Sequence, residues 1–277
     1  MGRTPSRITV CIPHWQVQDY MAVCLRSIRK HSAKYDLEVM VVDNGSKDAS
    51  LDYLRSLDWI RLIERPEEVH TNWPTNVLTA WDLGAREATG ELFVTMHSDV
   101  FVKRDGWLDE MIAAFDRDPQ CGASGAWKLE LENPLYLWQK RVFGYLNARV
   151  KSLLGRKKDI HWKQGHYPRD FCAMYRTAPI VENDFTFRRI HGQGGGYSIT
   201  RQFWDIGYSA GMISVREMAD NIFHVAHGTA AVRSEKTLNH KQAQKKVERK
   251  VQELFEESWI QELLHDESLD APLKQAA

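Results

Sequence analysis

Three groups of polar residues have the types and spacing needed to bind phosphate, sugar or metal. The first is Asp43, which ends an apolar run and is followed by the turn residues Asn44, Gly45 and Ser46. A carboxylate there can accept hydrogen bonds from a base or a ribose. The same residue types are favoured in any tight turn after a strand, so both interpretations stay open at this point.

The second group is the triplet His97-Ser98-Asp99, which follows the apolar run ELFVTM. His and Asp are both ligands of divalent cations, and Asp prefers the hard ions Mg²⁺ and Mn²⁺. Such an ion bridges the phosphates of a nucleotide and neutralises charge on a departing diphosphate. A polar strand end without metal is the alternative explanation.

The third group lies in the sequence VREMADNIFHVAHGT. Glu217 or Asp220 can act there as a general base that deprotonates an acceptor hydroxyl. A solvated helix face is the alternative, and spacing alone does not decide. An imidazole from His224 or His227 can complete a metal shell or contact a diphosphate.

The glycines of HGQGGGYSIT do not form a dinucleotide-binding fingerprint. Their spacing departs from G-x-G-x-x-G because Tyr197 occupies the third glycine position, and they lie far from the first strand. We interpret them as a tight loop, in which the backbone at Gly195 and Gly196 approaches a substrate closely.

The elements that must position these groups alternate between strand and helix over the first 127 residues. Apolar runs predict strands at 8–13, 38–43, 59–64, 91–96 and 121–127, and helical spacing of apolar residues predicts the intervening helices. This order predicts an α/β fold with a mostly parallel sheet and helices on both faces. Ligands of such sheets bind at the carboxyl ends of the strands, where Asp43 and Asp99 lie.

The second half has a different character. Between Lys140 and Lys163 the sequence has eight basic residues and one acidic residue, interleaved with aromatics. The segment 134–163 is a candidate for docking on anionic lipid headgroups, for a lid that grips an acceptor phosphate or glycan, or for a helix packed on the core. Residues 240–264 are expected to form one long helix.

Composition excludes several classes of protein. Lys plus Arg and Asp plus Glu are both 37 in the 277 residues, which argues against a general nucleic-acid binder. The four cysteines fit neither a zinc module nor a disulfide framework, and no apolar stretch is long enough for a membrane span. We therefore expect a cytoplasmic protein, peripheral at the inner face of the membrane if 134–163 docks there.

The division we expect has three parts. Residues 1–130 form an α/β half, residues 131–235 a second half with the basic aromatic insertion, and residues 236–277 a C-terminal helix and tail.

The order of these motifs resembles the family 2 glycosyltransferases, which have the glycosyltransferase A-type fold. The matching segments, in chain order, are TVCIPHWQ, EVMVVDNGSKD, NVLTAWDLGAREATGELFVTMHSDV and GGGYSITRQFWDIGY, and together they cover roughly residues 7 to 230. Two departures stand out. His97 replaces the first Asp of the usual acidic triplet, and the Glu-Asp pair that normally supplies the base is absent.

The resemblance implies a role for each matching residue. The residues implied to bind the nucleotide are Pro13, Trp15, Asp43, Asn44, Asn76 and Ser98. Asp99, His97 and His227 would hold Mg²⁺ or Mn²⁺, while Gly195, Gly196 and Trp204 would contact the acceptor. Glu217 or Asp220, in the nearest equivalent of the missing pair, would be the base. By the same resemblance, residues 1–130 would be the nucleotide-sugar-binding half and residues 131–235 the acceptor-binding and catalytic half.

The implied reaction is transfer of a sugar, with inversion, from a nucleoside diphosphate sugar to a hydroxyl of a glycan or lipid-linked glycan. Two alternatives remain at this stage. A catalytically inactive nucleotide-sugar or glycan binder is favoured by the two departures. A sugar nucleotidyltransferase is disfavoured, because CIPHWQVQD lacks that class's glycine-rich signature after the first strand.

Overall fold

The computed structural model describes residues 7–65, 73–127, 142–143, 146, 149–150, 153, 166–190, 192–225, 249 and 251–272. His227 lies outside these ranges, as does most of the segment 134–163.

The first half alternates strands and helices as the apolar runs predict. Its elements are β1 (Ile8–His14), α1 (Gln18–His31), β2 (Leu37–Asp43), α2 (Ala49–Arg55), β3 (Ile60–Glu64), α3 (Trp73–Glu87), β4 (Leu92–Met96), β5 (Val100–Val102), α4 (Asp109–Arg117) and β6 (Cys121–Gly125). The five expected strands are β1 to β4 and β6. The three-residue β5 is an addition that its short apolar run did not predict.

The remaining elements complete the sheet and return the chain to α1. They are β7 (Cys172–Arg176), α5 (Thr177–Glu182), α6 (Gly196–Asp205), β8 (Ser209–Met212), α7 (Val215–Asn221), β9 (Ile222–His224), α8 (Ser258–His265) and a 3₁₀ turn (Glu267–Asp270).

Seven strands form one sheet in the order β3-β2-β1-β4-β7-β6-β8. The pairs β3–β2, β2–β1, β1–β4 and β6–β8 are parallel, and β7 runs antiparallel to both β4 and β6. The predicted mostly parallel α/β fold is therefore confirmed. A second, two-stranded sheet pairs β5 with β9 in antiparallel register.

Helices cover both faces of the large sheet, which explains why its strands are continuous apolar runs. In β1, the side chains of Val10 and Ile12 pack on the face that carries α1, whereas Cys11 packs on the opposite face with Trp81 of α3 and Phe203 of α6. All seven residues of β1 are buried. The four cysteines are free and buried, as expected without a disulfide framework.

The prediction of one long helix over 240–264 is wrong for the part of it that the structure describes. Residues 251–255 are helical, but Glu257 has φ −68° and ψ 136°, so α8 begins as a separate helix. Positions 254 and 260 of a continuous helix would point about 120° apart. The break allows Leu254 and Ile260 to enter the same hydrophobic cluster.

The C-terminal elements are held on α1 by a buried arginine. Arg26 donates hydrogen bonds to the carbonyl groups of Leu263 and Leu264 and forms an ion pair with Asp270. The last described elements are thereby fixed against the first helix of the chain.

The described positions of the basic segment do not pack on the core. The side chains of Phe143, Leu146, Val150 and Leu153 are between 49% and 87% exposed. At these positions the interpretation as a core-packed helix is wrong. Among the described residues, no helix combines the length and the apolar character needed to cross a bilayer.

Candidate functional site

The predicted nucleotide-binding and metal-binding residues meet where parallel strands β1, β2 and β4 end, at His14, Asp43 and Met96. We call this the carboxyl edge. It has two regions, which we call the donor turn and the metal cluster.

The donor turn is the loop after β2, and Asp43 organises it. The buried carboxylate of Asp43 accepts hydrogen bonds from the backbone N–H groups of Gly45, at 3.0 Å, and Ser46, at 2.9 Å, and from the Ser46 hydroxyl. Gly45 has φ +79°, which favours glycine at this position. The Asp43 carboxylate therefore stabilises the conformation of this loop, independently of any ligand.

Arg65 joins the other predicted residues of the donor turn. Its guanidinium donates to the side-chain oxygen of Asn44 at 2.7 Å and to the backbone carbonyl of Asn76 at 3.4 Å. Asn44 and Asn76 are 3% and 5% exposed, so their polar groups need such partners. Arg65 was not among the residues predicted from the sequence, although it is a cationic residue directly after the predicted strand WIRLIE, at the carboxyl edge.

His14 joins β1 to the same turn. Its buried Nε2 lies 2.9 Å from the Ser50 hydroxyl, and its backbone carbonyl accepts from the N–H of Asn44 at 2.9 Å. Pro13 is buried on the strand just before it, whereas Trp15 is only partly buried at the start of the following loop. The structure thus brings Pro13, Trp15 and Asn44 to one corner of the edge.

The metal cluster is formed by His97, Asp99 and His224. The triplet at 97–99 is the turn between β4 and β5, and the β5–β9 ladder sets His224 opposite Val100. The Oδ1 atom of Asp99 lies 3.4 Å from Nε2 of His224 and 3.9 Å from Nδ1 of His97. One ligand atom from each residue lies within 4.8 Å of the other two.

Two imidazoles and a carboxylate form a donor set suited to a divalent first-row cation such as Mn²⁺. Burial holds the pKa of His97 below its ordinary value, against the opposing effect of Asp99 and Asp170. A neutral imidazole is the form that binds metal. The Nε2 atom of His97 is buried and has no hydrogen-bond partner among the described residues, so this side chain fits a ligand role.

Aromatic rings support the cluster. Trp81 lies 5.3 Å from His97, and the ring of Phe171 stacks on His224 at 5.2 Å. Ser98, between the two ligands of the triplet, is 7% exposed. These contacts limit the orientations open to both imidazoles, as the outer shell of a metal site does.

The predicted glycine loop ends at the first turn of α6 and contacts the segment before β7. Gly195 has φ +63°, and a Cβ atom there would lie 1.8 Å from Oδ2 of Asp170. A Cβ atom at Gly196 would lie 2.1 Å from the carbonyl oxygen of Pro168. Both glycines are therefore required for close packing within the protein, Gly195 against the Asp170 carboxylate and Gly196 against the Pro168 carbonyl. The predicted approach to a substrate stays a prediction.

The two candidate bases lie at opposite ends of α7. Glu217 is in its first turn, where its backbone N–H donates to the Ser214 hydroxyl at 3.1 Å and its carboxylate lies 3.3 Å from that hydroxyl. The Ser214 hydroxyl therefore caps the first turn of α7 and also holds the Glu217 carboxylate. Asp220 is exposed and precedes Asn221, whose side chain accepts from Arg104 beyond the end of β5.

Trp204 is not brought to the carboxyl edge. It lies eight residues after Gly196 on α6, which corresponds to a separation of about 12 Å along the helix. The next residues lead into β8, whose first residue donates to the carbonyl of Gln120, at the amino end of β6. His227 lies outside the described residues, and His224, the other candidate imidazole, is the one that the structure places in the metal cluster.

Comparison with known proteins identifies the family of the chain. The sequence profile described as Glycosyl transferase family 2 matches residues 9–183. No curated protein sequence matches the chain significantly.

Two solved structures show the shared fold. The mannosyltransferase PcManGT from Pyrobaculum calidifontis, in complex with GDP-Man and Mn²⁺, aligns with a TM-score of 0.51 and 20% identity, over 76% of this chain and 55% of that one. Residues 1–349 of TarS from S. aureus align with a TM-score of 0.52 and 14% identity, over 87% of this chain and 69% of that one. The chain thus spans about half the length of the mannosyltransferase. Since the family profile covers well over half of its residues, the chain belongs to glycosyl transferase family 2.

Proposed function

We propose that the chain transfers a sugar from a nucleoside diphosphate sugar to a hydroxyl acceptor, with inversion and with help from Mg²⁺ or Mn²⁺. The observation that carries this proposal is the cluster of His97, Asp99 and His224 at the carboxyl edge, next to the donor turn. His227 remains a second candidate imidazole, close along the chain to His224.

Each side of the edge has its own task in this proposal. The nucleotide is held by residues from the donor turn and from the neighbouring ends of β1, α3 and β4, namely Pro13, Trp15, Asp43, Asn44, Asn76 and Ser98. A divalent cation, when bound, would offset the negative charge that develops on the departing diphosphate. His97 and Asp99 would hold that cation from the β4–β5 turn, and His224 from β9.

The acceptor side supplies positioning and a base. A carboxylate deprotonates the attacking hydroxyl, which approaches opposite the leaving group and thereby inverts the anomeric centre. Glu217 and Asp220 are the candidates from the sequence, and Glu217 lies closer along α7 to the carboxyl end of β8. Gly195 and Gly196 would contact the acceptor, with Trp204 further along the same helix.

The acceptor we propose is a glycan or a lipid-linked glycan, and the family assignment favours transfer over a catalytically inactive binder or a nucleotidyltransferase. The exposed apolar side chains at 143, 146, 150 and 153, in a strongly basic segment, support contact with an anionic membrane surface. Joint replacement of Arg156, Lys157 and Lys158 by Gln should reduce cosedimentation with anionic vesicles at low salt. Unchanged binding would remove this part of the proposal.

The direct test is a product assay. The full chain is incubated with Mn²⁺ and each of a panel of donors, including GDP-mannose and UDP-GlcNAc, with and without hydroxyl acceptors. Release of nucleoside diphosphate that depends on the acceptor, with the opposite anomeric configuration in the product, is the expected result. Retention of configuration would contradict the inverting mechanism, and release of pyrophosphate would indicate nucleotidyl transfer.

A further inference from the structure

The carboxylate of Asp170 lies between the metal cluster and the glycine turn. On one side, its Oδ2 atom is so close to Gly195 that a Cβ atom could not be accommodated there. On the other side, the next residue, Phe171, stacks on His224, and its carbonyl accepts the backbone N–H of His97 at 3.0 Å. The charge of Asp170 also raises the pKa of His97, opposing the effect of burial.

Asp170 differs from the other acids of the site in its bonding. Asp43 accepts hydrogen bonds from the N–H and hydroxyl groups of its own loop, and the Glu217 carboxylate is held by the Ser214 hydroxyl. For Asp170, by contrast, no hydrogen bond or ion pair from any described residue reaches the carboxylate, which is only partly buried. A carboxylate in such a place can accept a hydrogen bond from a bound hydroxyl.

The surroundings hold this carboxylate in place. The backbone N–H of Arg169 donates to the carbonyl of Ala126 at the end of β6, and Asp170 itself leads directly into β7. Gly196 packs against the carbonyl of Pro168, and the rings of Tyr167 and Tyr197 meet edge to face at 5.5 Å. The carboxylate is thus carried on a segment fixed to the sheet and to the first turn of α6.

We propose that Asp170 is the general base of the transfer reaction, an inference that rests on the proposed function. The acceptor hydroxyl donates its proton to the Asp170 carboxylate while its oxygen forms a bond to the anomeric carbon. The bond from that carbon to the diphosphate oxygen breaks, and its electron pair leaves with the nucleoside diphosphate. Asp170 suits this role because the attacking oxygen must lie between the donor, at the metal cluster, and the acceptor, at Gly195 and Gly196.

The test compares Asp170→Asn with the wild-type chain, using the donor and acceptor that the product assay identifies. Asparagine keeps the size and polarity next to Gly195 but cannot take a proton. We expect kcat to fall about 100-fold or more, the usual contribution of a general base. The affinity for nucleoside diphosphate with Mn²⁺, measured by calorimetry, should change by less than about 2-fold, because no nucleotide contact is removed.

Two further variants make the result specific. Asp205→Asn, at the opposite end of α6, is the matched control and should keep kcat. Glu217→Gln tests the competing base. If Asp170→Asn lowers the melting temperature, Asp170→Ser is measured in its place.

A kcat within about 3-fold of the wild-type value in a folded Asp170 variant would overturn the proposal. A loss of kcat in Glu217→Gln that exceeds the loss in Asp170→Asn would also overturn it. A tenfold loss of nucleotide affinity in Asp170→Asn would also overturn it, by assigning Asp170 to donor binding. A wild-type chain that transfers no sugar would instead refute the proposed function itself, so the two failures are distinguishable.

Discussion

The donor turn and the metal cluster lie at the same edge of one sheet but differ in how their polar groups are satisfied. In the donor turn, Asp43 accepts hydrogen bonds from Gly45 and Ser46 of its own loop. Arg65 donates a hydrogen bond to the side chain of Asn44. In the metal cluster, Nε2 of His97 has no partner among the described residues, and Asp99 lies close to the imidazoles of His97 and His224. The first region is built by its own hydrogen bonds, whereas the proposed function requires a bound cation to complete the second.

The largest expected effect is on the metal side. Asp99→Asn removes the charged ligand while keeping the size of the side chain, so metal-dependent turnover should fall by about 1,000-fold, on the scale of losing a main electrostatic stabiliser of the leaving group. Steady-state assays with varied Mn²⁺ measure this loss, and the melting temperature should stay close to that of the wild type. Full activity in this variant would exclude the metal cluster from the reaction.

A smaller effect, of a different kind, is expected on the donor side. Arg65→Met removes the hydrogen bonds to the buried Asn44 side chain and to the Asn76 carbonyl, which should destabilise the fold by about 2 kcal/mol. Nucleotide affinity should fall about tenfold, because the same loops form the proposed pocket. Urea denaturation and calorimetry with UDP and GDP measure the two effects. Loss of affinity without loss of stability would mean that the donor turn is not held by its own bonds.

The smallest expected effect is a difference between two glycine variants, which separates backbone strain from close contact. Gly195 and Gly207 both have positive φ, but only Gly195 has an atom near the position of a Cβ. Both Ala variants should lose about 1 kcal/mol of stability from the backbone conformation. Gly195→Ala should lose about 1 to 2 kcal/mol more and should also lower kcat, because Asp170 must move. Equal losses in the two variants, measured by urea denaturation, would show that the contact with Asp170 is unimportant.

The same contrast explains how much could be predicted from the sequence. The α/β fold and the Asp43 turn could be predicted, because apolar periodicity and turn preferences depend on residues that are close together in the sequence. The position of His224 beside Asp99 depends on the register of β5 with β9, a ladder of three residue pairs with no periodic signal. Asp170 acquires its position only when β7 enters the sheet between β4 and β6. Arg65 could have been noted, because it follows a predicted strand at the carboxyl edge.

The central claim is that His97, Asp99 and His224 together hold the cation that assists transfer. Titration of the full chain with Mn²⁺ in the presence of UDP or GDP, followed by electron paramagnetic resonance, tests it most directly. The account predicts one bound Mn²⁺ per chain, with affinity reduced 10-fold to 100-fold in His224→Ala and lost in Asp99→Asn. Binding of Mn²⁺ with unchanged affinity in both variants would contradict it.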